Sequence, residues 1–413
     1  MKTVRTAIRT LTAVSAAACA VLFSALFYLN LAAPDEYYNI RGEEFSVASI
    51  LGEAVRTDYR AVTAVGAESD PSVQQEVLLT LFGCIPIKAA QVETVDEVEL
   101  APCGTPFGVK ILTDGVLIVG LNEIATDRGN KNPAKEVGLC TGDLITQVDG
   151  AAVRSNEELA AIIKKSGGKP VTICYRRGEK ENTVRLTPAL SAVDRCYKAG
   201  VWVRDSSAGI GTVSFYDPST RAFGGLGHAI CDVDTGDILP VLQGDVVDVT
   251  IHGVVKGTVG TPGELRGSFA SQAAVGTIYL NNEAGVFGEL FDAPDHRAVL
   301  PMGLKQEIHT GKATVWTTVD GEEPKAYELE IERINLLENS PTKNMVIRIT
   351  DPALLEKTGG IVQGMSGSPI VQDGKLIGAV THVFVNDPSR GYAIFAENMY
   401  ENVALMRSLS KAG

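Results

Sequence analysis

The second half of the chain is a succession of short apolar runs broken by glycines, with no helical periodicity between them. Val201 to Val203, Gly209 to Phe215, Val246 to Val255, Val275 to Leu280, Ala298 to Met302, Ala313 to Thr318, Tyr327 to Ile331 and Met345 to Ile349 are all of strand length. Runs of this kind without alternating helices predict an antiparallel barrel or sandwich. The 42 glycines and 6% aromatic content agree, because glycine supplies the positive φ that tight turns demand. The expected class is mainly β, closed by a terminal helix over Glu397 to Leu409.

Within residues 191–413, the stretch Gly359 to Val385 carries the chemistry. Ser366 sits in Gly364-Met365-Ser366-Gly367-Ser368-Pro369, followed by an apolar run, an Asp373-Gly374 turn and a second apolar run. Gly-Ser-Gly-Ser is also an ordinary loop composition, but the hairpin that follows it marks a turn between strands. Flanking glycines let the backbone approach a peptide closely, so the N–H groups of Gly364 and Ser366 are an expected oxyanion hole. The segment resembles the Gly-x-Ser-Gly-x-Pro nucleophile loop of chymotrypsin-like serine proteases. That likeness implies two β-barrels and makes Thr381, His382 and Val383, on the next strand, substrate-side residues.

A serine hydroxyl needs a base, in practice a histidine. His228 lies on the glycine-flanked turn Gly224-Gly225-Leu226-Gly227-His228. His252 falls inside an apolar run, His296 and His309 fall in polar turns, and His382 competes by its nearness to Ser366. An orienting carboxylate is expected as the third member. Asp351, at the end of the strand Met345 to Thr350, is the first candidate, with Asp232 and Asp234 as alternatives. Asp232 to Asp237 hints at a calcium loop, but its glycine is one position early and Gln243 stands where a bidentate Glu is needed. No metal and no cofactor are implied.

The amino terminus has Lys2, Arg5 and Arg9 ahead of an uncharged run from Leu11 to Ala33. Roughly 20 apolar residues cross a bilayer, so the reading is a cytoplasmic tail (1–10), a transmembrane anchor (11–33) and an extracytoplasmic remainder; a cleaved signal is the alternative. Residues 34–98 read as a membrane-proximal region with a short helix around Phe45 to Ala54 and strands from Val77. Residues 99–190 combine strand runs with a helix marked by the capping-box pair Ser155 and Glu158 and stopped by Gly167-Gly168. Their order resembles a PDZ domain, which implies a peptide ligand added as a strand beside Phe107, Gly108, Val109 and Lys110.

A net charge of -13, from 50 acidic against 37 basic residues, argues against a nucleic-acid partner. The seven cysteines form no C-x-x-C pair, and a Cys84–Cys103 pairing is the one disulfide considered.

Taken together, an anchor, a PDZ domain and the stretches GGLGHAICDVDTG, DPALLEKTGGIVQGMSGSPI and GKLIGAVTHVFVNDP resemble the stage IV sporulation protein B family of membrane-anchored PDZ serine peptidases of endospore-forming bacteria. The resemblance implies a His228, Asp351 and Ser366 triad. It also implies a forespore protease that acts in the intermembrane space on a membrane-bound inhibitor of an intramembrane metalloprotease, thereby activating pro-sigma-K processing, and that cleaves itself. A non-catalytic membrane-anchored PDZ scaffold holding a partner's tail is the competing function.

Overall fold

The computed structural model describes residues 2–47, 51–59, 74–294, 298–335 and 341–410. His296 and part of the short helix expected over Phe45 to Ala54 lie outside them. Helix α1 (Lys2–Ala32) contains a 23-residue stretch, Thr10–Ala32, of mean hydropathy 2.0 with no fully buried residue in its apolar window. It is long and apolar enough to cross a bilayer, which suits an anchor or a signal equally.

At its foot, β1 (Glu36–Ile40), β2 (Val55–Tyr59), β3 (Gln74–Leu81) and β4 (Ile85–Val95) form a four-stranded sheet in the order β1-β4-β3-β2. Tyr37, Val77, Leu79 and Val92 are its buried core, with Leu26 and Leu29 of α1 packed on them. The membrane-proximal region is thus a small sheet with its own core.

Strand β5 (Pro106–Leu121) serves two domains. Its first half lies in a barrel, and beyond Gly115, at φ +132°, it enters a nested PDZ unit. That unit comprises α2 (Pro133–Glu136), β6 (Leu144–Val148), α3 (Asn156–Lys165), β7 (Val171–Arg177) and β8 (Lys180–Leu186). Ser155 caps α3 by accepting from the Glu158 N–H at 3.2 Å, while Leu159 and Ile163 bury its apolar face.

The chain returns through the 16-residue β9 (Val201–Tyr216). Then β10 (Ala222–Gly225), β11 (Val241–Val255), β12 (Glu264–Asn282) and β13 (Gly285–Leu290) complete the first barrel in the order β5-β11-β12-β13-β10-β9. The ring closes by β9 pairing β5, Gly211 opposite Phe107. Glu99–Pro102, inside the span expected for the PDZ domain, likewise pairs with barrel residues Phe215 and Tyr216. The PDZ unit is inserted into the first barrel, not placed ahead of it.

The second barrel consists of β14 (Gly311–Thr317), β15 (Lys325–Ile334), β16 (Met345–Ile349), β17 (Pro369–Gln372), β18 (Lys375–Phe384) and β19 (Asp387–Phe395). It closes in the order β14-β15-β16-β19-β18-β17, with helix α4 (Pro352–Thr358) between β16 and β17. Asp373 and Gly374 both take positive φ in the β17–β18 turn, as a two-residue hairpin requires. Helix α5 (Ala396–Ser410) locks the barrels together. Its Met399, Val403 and Met406, spaced by a helical turn, are buried against Phe215 and Phe287 of the first barrel and Leu376 and Ile394 of the second. Each such burial contributes about 1.5–3 kcal/mol.

Candidate active site

Ser366 stands on the turn between α4 and β17, and that turn is held from both barrels. From β9, the Thr212 Oγ1 donates to the Gly364 carbonyl at 2.7 Å and the Thr212 N–H to the Ser366 carbonyl at 3.1 Å. From β18, the Val380 carbonyl accepts from the Gly367 N–H at 2.7 Å. The approach is so close that a Cβ on Gly367, itself at φ +95°, would lie 2.1 Å from the Thr212 carbonyl oxygen. These bonds leave the N–H groups of Gly364 and Ser366 without a protein partner among the described residues. Unspent donors beside a nucleophile are what an oxyanion hole requires.

His228 follows β10 on a turn in which Leu226 and Gly227 both have positive φ. Ser366 and His228, supplied by different barrels, face one cleft of about 450 Å³ that Gly364, Gln363, Thr381, His382 and Val383 also line. The His228 Nδ1 lies 2.9 Å from the Ala229 carbonyl. A carbonyl only accepts, so Nδ1 carries the proton in this bond and Nε2 is left as the basic nitrogen. Burial pushes the His228 imidazole below its ordinary range, partly opposed by that same bond.

The His382 ring is 5.0 Å from that of His228. Burial, then the adjacent His228 and Lys343, lowers its pKa to about 4, so both rings are neutral at pH 7. The Ser366 Oγ donates to the Thr381 carbonyl at 2.8 Å, while the Thr381 hydroxyl is turned away to the Thr342 carbonyl. Of the expected substrate-side residues, Thr381 therefore meets the serine through its backbone, and His382 and Val383 stand beside it in the cleft wall.

Asp351 is not brought to His228. Its Oδ1 accepts from the Ala353 and Leu354 N–H groups at 2.9 and 3.1 Å, capping α4, and its Oδ2 faces the Glu328 N–H. A carboxylate before a proline at the first helical position is a strong cap, and that local use accounts for it. Asp232 and Asp234 both pair with Arg204. The group that orients the imidazole here is the Ala229 carbonyl, for which one-dimensional sequence carries no signal. His252 bonds to Ser268 on an exposed strand and His309 to Asp373 at the surface.

Phe107 to Lys110, expected to be the PDZ peptide-binding loop and strand, take a different place. They are paired on one side with Gly211 to Ala208 of β9 and on the other with Asp248 to Asp245 of β11. Both edges are occupied, and Phe107 and Val109 are barrel core, so no peptide adds there. The PDZ groove, about 650 Å³, instead opens between α3 and the start of β9, lined by Asn156, Leu159, Ala160, Ile163 and Val201 to Val203. Cys84 is exposed on the membrane-proximal sheet and Cys103 is buried in the first barrel, and the two are not joined in a disulfide.

Two closed six-stranded barrels with a serine and a histidine facing one cleft between them, and a PDZ unit carried on the first, define a PDZ-containing serine peptidase. Residues 195–400 match the SpoIVB peptidase S55 family and residues 112–187 the PDZ domain family; the chain belongs to the SpoIVB-type S55 peptidases. Among solved structures it is similar to the PDZ domain of the SdrC-like protein Lmo2051 from Listeria monocytogenes: 28% identity over 22% of this chain and 90% of that one, TM-score 0.19. It is also similar to the Rv3671c protease of M. tuberculosis H37Rv in its inactive form: 14% identity over 48% and 84%, TM-score 0.28. A Neisseria meningitidis protein named as a zinc metalloprotease, NMA0084, is 30% identical over 125 residues, and the match spans 28% of each chain.

Proposed function

We propose that this protein is a membrane-anchored signalling endopeptidase in which Ser366 is the nucleophile and His228 the base. The carrying observation is that the two residues, from separate barrels, line one cleft beside N–H groups of Gly364 and Ser366 that have no protein partner among the described residues. Rotation of Ser366 from the Thr381 carbonyl toward the His228 Nε2 lets the imidazole take the hydroxyl proton as Oγ attacks the scissile carbonyl. The resulting oxyanion is held by the two N–H groups, each such donor worth about 10²–10³ in rate. His228 then delivers its proton to the leaving amine, and water releases the acyl group by the same path in reverse.

Family membership and helix α1 support the wider role: an extracytoplasmic protease in the forespore intermembrane space. There it cleaves a membrane-bound regulator of an intramembrane metalloprotease to activate pro-sigma-K processing, and cleaves itself near the anchor. Labelling of the full chain with a fluorophosphonate, beside Ser366→Ala and His228→Ala, tests the chemistry. Labelling that requires both residues is the expected result. The Ser366–Thr381 bond favours a second reading, a PDZ scaffold without activity, and a folded wild-type chain that stays unlabelled in the presence of its membrane-bound regulator establishes it.

A further inference from the structure

Strand β9 joins the two clefts. Its residues Val201 to Val203 line the PDZ groove and its residues Ser207 to Ile210 line the catalytic cleft. On one edge, Val201 to Thr212 pair with β5; β10 occupies the opposite edge only from Val213 onward. From Val201 to Ile210 that second edge has no strand on it among the described residues, and it runs from the PDZ groove to the nucleophile turn.

We infer that this open edge is the docking surface for the part of the substrate that follows the scissile bond, and that the PDZ groove holds its far end. The inference rests on the peptidase reading above. Three observations fix occupant and direction. His228 must face the leaving amine to protonate it, and His228 belongs to the first barrel, so the leaving half of the substrate departs along that barrel's wall. That wall is β9. The Ser366 carbonyl is bonded to Thr212, so a chain leaving Ser366 along β9 meets Ile210 first and Val203 later, antiparallel to the strand. Extended peptides bind PDZ domains by adding as a strand between a sheet edge and a helix, and here the helix is α3.

A buried acceptor marks the junction. The Asn156 Oδ1 lies at the groove with no hydrogen-bond partner among the described residues, while its N–H is held at 2.8 Å by the Asp205 carboxylate of β9. A buried acceptor left unpaired is costly, and a backbone N–H of an entering strand satisfies it. From Ile210 to Val203 at ~3.4 Å per residue, the groove reads substrate residues about seven to ten positions beyond the cut. Cleavage is thereby restricted to bonds with enough chain after them to reach α3.

The test is digestion of a proteome-derived peptide library by the full chain in detergent, with mass spectrometry recording how far each cut lies from the peptide's carboxyl end. Cuts within four residues of that end are expected to be at least about tenfold rarer than cuts eight or more residues from it. Ala160→Arg, which fills the groove from an exposed position of α3, is expected to bring that ratio toward one while cleavage of long peptides falls. A wild-type distribution independent of distance, or a bias unchanged in Ala160→Arg, overturns the inference. Fluorophosphonate labelling of the wild type on Ser366 separates the two readings: a labelled enzyme with a flat distribution refutes the shared edge alone, and an unlabelled one refutes the peptidase reading.

Discussion

The Ser366 hydroxyl gives its hydrogen bond to the Thr381 carbonyl, 2.8 Å away on β18, and not to His228, although both side chains face the same cleft. In this conformation the serine is not engaged by the base, and the proposed reaction requires its side chain to turn away from Thr381. Ser366→Ala and His228→Ala are each expected to lower peptide hydrolysis by at least about 10⁴-fold, because nucleophile and base act as a unit. Thermal melts of both variants should stay near wild type. Activity within tenfold of wild type in either would refute the assignment.

Acid is expected to inactivate the enzyme late. Burial lowers the His228 pKa, so the folded ring stays neutral below the pH at which a free imidazole, near 6.5, takes its proton. The acid limb of kcat/KM should accordingly lie below 6.5. The same sign governs stability: below pH 6.5 the unfolded chain binds a proton that the folded ring refuses, so stability falls as pH falls. An acid limb at or above 6.5 would count against His228 as the base.

Asp351 separates capping from catalysis. Asp351→Ala removes the acceptor for the Ala353 and Leu354 N–H groups and should cost about 0.5–2 kcal/mol, read as a lowered melting temperature. Asp351→Asn keeps a capping oxygen and should lose little. Both folded variants should still label with a fluorophosphonate. Loss of labelling in a stable Asp351→Asn would restore the carboxylate to the triad.

Gly367→Ala places a methyl carbon 2.1 Å from the Thr212 carbonyl oxygen at a φ of +95°. The nucleophile turn must then move off β9. Labelling by a fluorophosphonate is expected to fall at least tenfold, and the far-UV circular dichroism to remain that of a β-rich fold.

Met406→Ala opens a cavity where α5 bridges the barrels and should destabilise by about 2–5 kcal/mol. A denaturant melt that shifts by less than 1 kcal/mol would show that α5 is not the lock between them.

Local pattern was enough for most of the elements and for the turn that carries Ser366. Glycine-framed Ser366, the Asp373-Gly374 hairpin, the Ser155 cap and the apolar first helix are all short-range features, in which neighbouring residues dictate backbone conformation by sterics and local hydrogen bonds. The family likeness added the domain types. Three things were decided only by the tertiary fold, because each depends on residues far apart in the chain. Phe107 to Lys110 look like a PDZ loop, but β9 and β11, about 100 to 140 residues later, take both of their edges into a barrel. Asp351 precedes a proline and a helix, and the two N–H groups that follow it claim the carboxylate that the base was expected to use. The open edge of β9 is visible only once two barrels and a PDZ unit are closed around it, since an unpaired edge is defined by the strands that are not there.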